Sequence, residues 1–274
     1  MRRWSVAWRH WCLAVAALAS SWTSESAGMK TPAAEQFFSG PTLMLAQAIE
    51  RGDAAEVDAL ARTVDLNRPG ADDMTVLFFA LQKAFGEKPA QLQIITQLVK
   101  AGADPRRRVE DVGSVLGVSL QAASPLYVKA LLDGGLSPDT VEGSTPILFN
   151  ATREATFGTL KLLVERGADV NKRDSLGNTA LMQGLTTMQL DQVDYLLAHG
   201  GKPDFVNING VSFANQLQFQ IGRQQEGSPA QRKMLEIRDR IVAMGVAWPP
   251  ASREAEQERM RARGQEPGKP LKVN

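Results

Sequence analysis

Leu163-Val-Glu-Arg-Gly-Ala-Asp-Val170 joins the apolar end of a helix to a glycine and a short extended run, and the chain repeats it three more times. The counterparts are Leu98-Val-Lys-Ala-Gly-Ala-Asp-Pro105, Leu131-Leu-Asp-Gly-Gly-Leu-Ser-Pro138 and Leu196-Leu-Ala-His-Gly-Gly-Lys-Pro203. The aligned glycines, Gly102, Gly135, Gly167 and Gly200, stand 33, 32 and 33 residues apart. A period of this size with one helix-ending glycine per unit signals stacked helix pairs, in which each unit buries its apolar faces only against its neighbours. The pattern predicts an all-α solenoid.

Upstream of the glycines stand helix starts: Thr75-Val76-Leu77-Phe78, Thr145-Pro146-Ile147-Leu148 and Thr179-Ala180-Leu181-Met182. A threonine hydroxyl can accept from a free N–H of the first turn, and proline fits that turn because its missing N–H is not needed there. A second stop inside the unit, at Arg51-Gly52-Asp53 and at Phe85-Gly86-Glu87-Lys88-Pro89, divides it into two helices. Each unit therefore reads as helix, turn, helix and an extended finger, ending at Asn67, Arg106, Asp139, Asn171 or Asp204.

These residues resemble the ankyrin repeat family, whose units read T-P-L-H-x-A, then G, then L-L-x-x-G-A-D-x-N. Gly143-Ser-Thr-Pro-Ile-Leu148 through Leu162-Leu-Val-Glu-Arg-Gly-Ala-Asp-Val-Asn171 carries the resemblance best. No unit keeps the motif histidine; Phe78, Leu148 and Met182 replace it. The third unit, Val109 to Asp139, has Gly113 and Gly117 where a helix start belongs, and Asp111 is expected to cap its first helix. The resemblance implies an ankyrin-repeat solenoid of about six helix-turn-helix units with β-hairpin fingers, covering residues 40–247. The second unit carries extra residues near Phe85 to Gln91, and the sixth carries the polar stretch Gly222 to Pro229.

Residues 1–19 read as a secretory signal peptide: a basic start with Arg2, Arg3 and Arg9, the apolar run Cys12 to Ala19, and Ala17-Leu18-Ala19 as a small-residue cleavage site. An uncleaved amphipathic anchor is the alternative. Residues 20–39 read as a flexible leader, and 248–274 as a charged, partly disordered tail whose Ser252 to Arg263 can form a solvated helix. Cleavage would remove Cys12, the only cysteine, leaving a chain that forms no disulfide and suits a bacterial periplasm. It would also take the 31 basic residues down by three to 28, against 30 acidic ones, a formal charge of −2. Such a balance gives no general pull on nucleic acid or anionic lipid.

The residues offer little to a catalyst. His10 would leave with the signal, and His199 stands one residue before a helix-ending glycine, where a basic side chain suits the helix C-terminus. One histidine and no cysteine do not make a zinc site, and the chain has no phosphate loop or serine elbow. The acid pairs Asp72-Asp73 and Glu110-Asp111 fall on exposed fingers, and Arg106-Arg107-Arg108 reads as a self-neutralising surface beside Glu110 and Asp111. We expect no enzyme activity, cofactor or metal.

The family resemblance implies a concave face of fingertips and first helices that holds a protein partner. Carried over unit by unit, the contact positions are Arg108, Glu110 and Asp111; Glu142, Ser144, Thr152 and Arg153; Arg173, Ser175, Leu176, Thr186 and Thr187; and Val206, Ile208, Phe219 and Gln220. Val206, Ile208 and Phe219 fit two readings, partner contact or packing under an atypical last repeat. The expectation is a monomeric periplasmic binding protein. It would serve as an immunity protein against a type VI-secreted toxin such as a phospholipase, or as a scaffold for a periplasmic enzyme such as catalase.

Overall fold

The computed structural model describes residues 32–273, and the chain folds as two compact units, one ending at Ser137 and the other beginning at Pro138. The signal-peptide reading lies outside the described residues. Among the described residues no helix is long and apolar enough to cross a membrane.

The N-terminal unit stacks three helix pairs: α1 (Gly40–Arg51) with α2 (Ala54–Ala61), α3 (Val76–Lys83) with α4 (Pro89–Lys100), and α5 (Val115–Gln121) with α6 (Leu126–Asp133). First helices pack on first helices and second on second, which is the solenoid arrangement. Gly52 ends α1 in the left-handed conformation, φ 75°, and the Asp53 carboxylate then caps α2 by accepting from Glu56 N. Thr75 caps α3 as the sequence predicts, accepting from Phe78 N at 3.1 Å. Every residue of α3 is buried, so this helix forms the centre of the unit. Its Lys83 ammonium reaches Glu50 at 2.6 Å and the Pro32 carbonyl at 2.9 Å, so the buried charge is neutralised.

Two expectations fail in this unit. Ser114, not Asp111, caps α5, accepting from Gly117 N at 2.8 Å. Asp111 instead sits at φ 60° in the turn between β1 (Arg108–Val109) and β2 (Gly113–Ser114), which pair antiparallel. A two-stranded finger has displaced the helix start by three residues. The leader also ends earlier than composition suggests: Ala34–Gln36 form a 3₁₀ turn, and Phe37 and Phe38 are buried. Phe38 meets Phe79 edge to face at 5.6 Å, an apolar contact that fixes the chain before α1.

The C-terminal unit begins with β3 (Val141–Glu142) and β4 (Thr145–Pro146), an antiparallel finger, followed by α7 (Ile147–Asn150) and α8 (Phe157–Glu165). Thr145-Pro146 is therefore strand rather than helix cap. Then come α9 (Ala180–Thr186) with α10 (Leu190–Ala198), α11 (Phe213–Arg223) with α12 (Pro229–Ala243), and α13 (Arg253–Ala262). Thr179 caps α9, and Ser212 and Asn215 cap α11 reciprocally, a capping box. Gly102, Gly135, Gly167 and Gly200 all take φ between 87° and 105°, as their repeat position requires.

The fingers are tied to the next repeat by a recurring bridge. The Asn67 carboxamide donates to Gly102 O at 2.9 Å and accepts from Asp104 N at 2.8 Å. Asn171 does the same to Gly200 O and Lys202 N, at 2.9 and 2.8 Å. Asp139 keeps the accepting half, taking Asp169 N at 2.8 Å.

Candidate partner-binding surface

Three side chains at matched positions form an exposed row on the C-terminal unit: Arg153 after α7, Thr186 ending α9 and Phe219 in α11. They are 33 residues apart, so the repeat period places them in register. Packing of α7 against α9 and of α9 against α11 brings the three positions alongside one another. Phe219 is 61% exposed, the largest apolar exposure on the unit, and the Arg223 guanidinium lies 5.3 Å from its ring centre. Arg223 is one helical turn beyond Phe219, a spacing that places both on one face. Met188, also exposed, stands beside the row in the turn after α9, at φ 59°. Sequence reasoning named neither Met188 nor Arg223, although the i, i+4 spacing carried the second.

Other carried-over positions are not free. Thr152 is a correction: it is buried, and its hydroxyl donates to Phe149 O at 2.6 Å. It follows directly on the four-residue α7, whose C-cap is Ala151. Its carbonyl stands 3.0 Å from the Thr187 hydroxyl, so half-buried Thr187 ties two repeats together. Gln192 Nε2 donates to Arg153 O at 2.7 Å, fixing the backbone while the Arg153 side chain remains exposed. Gln220 is half-buried beside the row.

Fingers five and six are built by side chains that replace backbone partners. The Asp174 carboxylate accepts from Leu176 N and Asn178 N at 2.9 and 2.8 Å, and the Asn207 carbonyl oxygen accepts from Asn209 N and Val211 N, both at 3.0 Å. Asp and Asn at these turns close the tip locally. Arg173 clips the two fingers: Nε donates to Gly177 O at 3.0 Å, Nη2 to Val206 O at 2.6 Å, and the guanidinium lies over Phe205. Burial pushes its pKa below the usual arginine value, while Asp174 acts in the opposite direction. Arg173 therefore works as a brace, not as the free groove residue the family alignment suggests. Ile208 is a second correction, being buried, and Val206 is half-buried. Of the two readings for Val206, Ile208 and Phe219, packing holds for Ile208 and exposure for Phe219.

The tail meets the sixth finger at the Ile208 main chain. Gly268 N donates to Ile208 O at 2.6 Å and Leu271 N to Ser175 O at 2.8 Å, while Arg253 Nε and Gln257 Nε2 both donate to Asn209 O. A Cβ on Gly210 would stand 2.8 Å from Arg253 O, so α13 lies directly on the sixth finger. Leu176 remains 47% exposed at the fifth fingertip, beside half-buried Ser175. On the fourth finger Glu142 is half-buried and Ser144 exposed.

On the N-terminal unit, the third finger presents Arg108, Glu110 and Asp111, all exposed. Arg106 pairs with Asp104, at 3.2 Å, rather than with the acids of the fingertip. His199 follows expectation: Nδ1 lies 2.7 Å from Tyr195 O and the ring stacks on Tyr195, closing the end of α10. Among the described residues no group of three or more His, Cys, Asp or Glu side chains is placed to hold a metal ion.

No protein-family model matches the chain. It is 32% identical over 142 residues to Protein PhlB of Serratia liquefaciens, covering 51% of this chain and 60% of PhlB. It is 30% identical over 136 residues to the ankyrin repeat domain-containing protein SAT10 of Stachybotrys chartarum, covering 49% of this chain and 7% of that one. The chain thus spans less than two thirds of either relative. Among solved structures, the ankyrin repeat domain of Bcl-3 superposes with a TM-score of 0.51 at 23% identity, covering 65% of this chain and 80% of that domain. The fold is that of an ankyrin-repeat domain, and in sequence the chain is similar to ankyrin repeat proteins. Its ankyrin architecture is the stack of helix pairs and two-stranded fingers described above, and the departures lie in α7 and in the tail.

Proposed function

We propose that this ankyrin-repeat protein is a non-catalytic binding module that holds a protein partner on the row Arg153, Thr186 and Phe219. The observation that carries the reading is Phe219, left 61% exposed by a fold that buries the neighbouring Phe213 and Leu217 of the same helix. An exposed aromatic ring flanked by arginine is the usual composition of an interface hot spot, because ring and guanidinium bury large area with little loss of side-chain freedom. Arg153 and Arg223 give the row a cationic frame, which suits a partner with acidic side chains around an apolar socket.

The finer proposal is a periplasmic immunity protein, exported by residues 1–19 and neutralising a toxin such as a phospholipase delivered by a type VI system. The basic start, the short apolar run and the absence of cysteine after Cys12 support it. The test is capture from a periplasmic extract with wild type and Phe219→Asp, followed by mass spectrometry of both the bait and the captured proteins. The expected result is a bait lacking residues 1–19 and a partner whose binding falls at least tenfold in the variant. Equal capture by both proteins, with unchanged circular dichroism, removes the row from the interface. A captured catalase would replace the immunity role with enzyme support.

A further inference from the structure

Two first helices end in the same kind of side-chain pair. Phe79 stands four residues before Lys83, the last residue of α3, and Phe219 stands four before Arg223, the last residue of α11. In each pair the cation lies against the ring, 4.8 Å from its centre for Lys83 and 5.3 Å for Arg223. The spacing puts ring and cation on one helix face, and a basic side chain is favoured at a helix C-terminus. The pairs differ in what meets them. Phe79 is fully buried, whereas Phe219 is 61% exposed.

Phe79 is met by the chain's own residues 32–38. The Phe37 and Phe38 rings stand edge to face with it, their centres 6.3 and 5.6 Å away and their planes inclined at 65° and 86°. The negative face of one ring attracts both the positive edge of another ring and a cation, so aromatic and lysine contacts act together at Phe79. The Lys83 ammonium also donates to Pro32 O, a main-chain carbonyl of the same segment, at 2.9 Å. Between that carbonyl and the two rings the segment makes one 3₁₀ turn, Ala34–Gln36, which leaves Glu35 exposed.

We propose that the exposed pair Phe219 and Arg223 takes from the partner what residues 32–38 give to Phe79 and Lys83. The occupant is a short turn that presents two adjacent aromatic side chains to the ring and a main-chain carbonyl to the cation. Its rings are the walls of the apolar socket that Phe219 enters. An acidic residue close to the rings, as Glu35 is to Phe37, suits the exposed Arg153 and Arg223. Arginine can fill the place that lysine has in α3, because a guanidinium both lies on a ring and donates to oxygen. The chain's own segment is not this occupant: Phe37 and Phe38 are 7% and 6% exposed where they sit, so the turn comes from another protein. This inference rests on the reading of the helix row as a partner surface, and it names the kind of segment that the row holds.

The probe is a fluorescent synthetic peptide of residues 32–39, followed by anisotropy against the full chain, Phe219→Ala and Arg223→Ala. Both positions are exposed, so neither change empties the core. A second peptide carries Phe37→Ala and Phe38→Ala. The full chain should bind the first peptide, with a loss of at least tenfold in Phe219→Ala, at least threefold in Arg223→Ala and at least tenfold for the second peptide. Absence of binding, equal binding of the two peptides, or binding unchanged by either substitution overturns the proposal. Binding that survives Phe219→Ala would place the peptide at Phe79, in exchange with the chain's own segment. The two readings fail separately. Capture that depends on Phe219, with no peptide binding, leaves the helix row as the interface and sinks the aromatic turn. Peptide binding that depends on Phe219, with capture indifferent to Phe219→Asp, sinks the helix row as the surface for the captured partner.

Discussion

Residues 34–38 and residues 264–271 flank the repeats on opposite sides in sequence, and different forces attach them. Phe37 and Phe38 are 7% and 6% exposed and set their rings against Phe79, so the first segment is held by apolar area removed from water. Burial of this kind contributes about 1.5–3 kcal/mol per large side chain and cannot be exchanged with solvent. The second segment is held by two main-chain hydrogen bonds at the fingertips, each worth about 0.5–1.5 kcal/mol because water competes for the same groups. The contrast separates attachment by buried aromatic side chains from attachment by main-chain hydrogen bonds. The sequences differ accordingly: 34–38 carries two phenylalanines, whereas 264–271 carries two glycines and two prolines and no aromatic ring.

Three measurements would break or sharpen that contrast. The largest effect is expected from Phe38→Ala, which empties an edge-to-face contact in the N-terminal unit and should cost about 3 kcal/mol in urea unfolding. A loss under 1 kcal/mol would mean that the aromatic contact holds its segment no more firmly than two main-chain hydrogen bonds hold residues 264–271. Gly167→Val comes next and provides the scale for the C-terminal unit. Its φ is 87°, and a Cβ there would meet nothing within 4 Å, so the penalty is backbone strain alone, on the order of 1–3 kcal/mol. An unchanged melting curve would show that the helix end can relax. The smallest change belongs to removal of residues 264–274, which should lower stability by about 1 kcal/mol or less while speeding hydrogen exchange at the fingertip amides, Ile208 N included. A loss comparable to that of Phe38→Ala would show that residues 264–271 contribute as much as the aromatic contact and erase the difference between the two segments.

The repeat glycines, the caps Thr75 and Thr179 and the inner stop Gly52-Asp53 were legible because each rests on a local backbone rule that the sequence states directly. The period put Phe219 in register with Arg153 and Thr186, but the sequence left exposure and packing both open for it. What stayed hidden depends on contacts distant in sequence. Thr145-Pro146 carries a helix-start signature, but pairing with Val141-Glu142 makes it a strand. Thr152 is buried just after the four-residue α7, a helix length that the apolar pattern does not show. The family alignment places Arg173 among the contact positions, whereas the partners that hold it are carbonyls of Gly177 and Val206, which have no signature in any residue type. The same blindness hid the tail. Main-chain hydrogen bonds recruit Gly268 and Leu271 regardless of the charge and proline content that suggested a loose end.

The carboxamides of Asn67 and Asn171 each donate one bond and accept another across one repeat boundary, whereas the Asp139 carboxylate accepts from Asp169 N and has no N–H to donate in return. In a nearest-neighbour stack, order propagates from repeat to repeat with a strength set by each boundary. The spacing of asparagine and aspartate along the chain is therefore a record of coupling constants. Boundaries closed by asparagine should melt as one with their neighbours, and those closed by other residues are where partial unzipping begins. A single atom exchange, oxygen for NH₂, thus tunes how far a disturbance at one repeat travels.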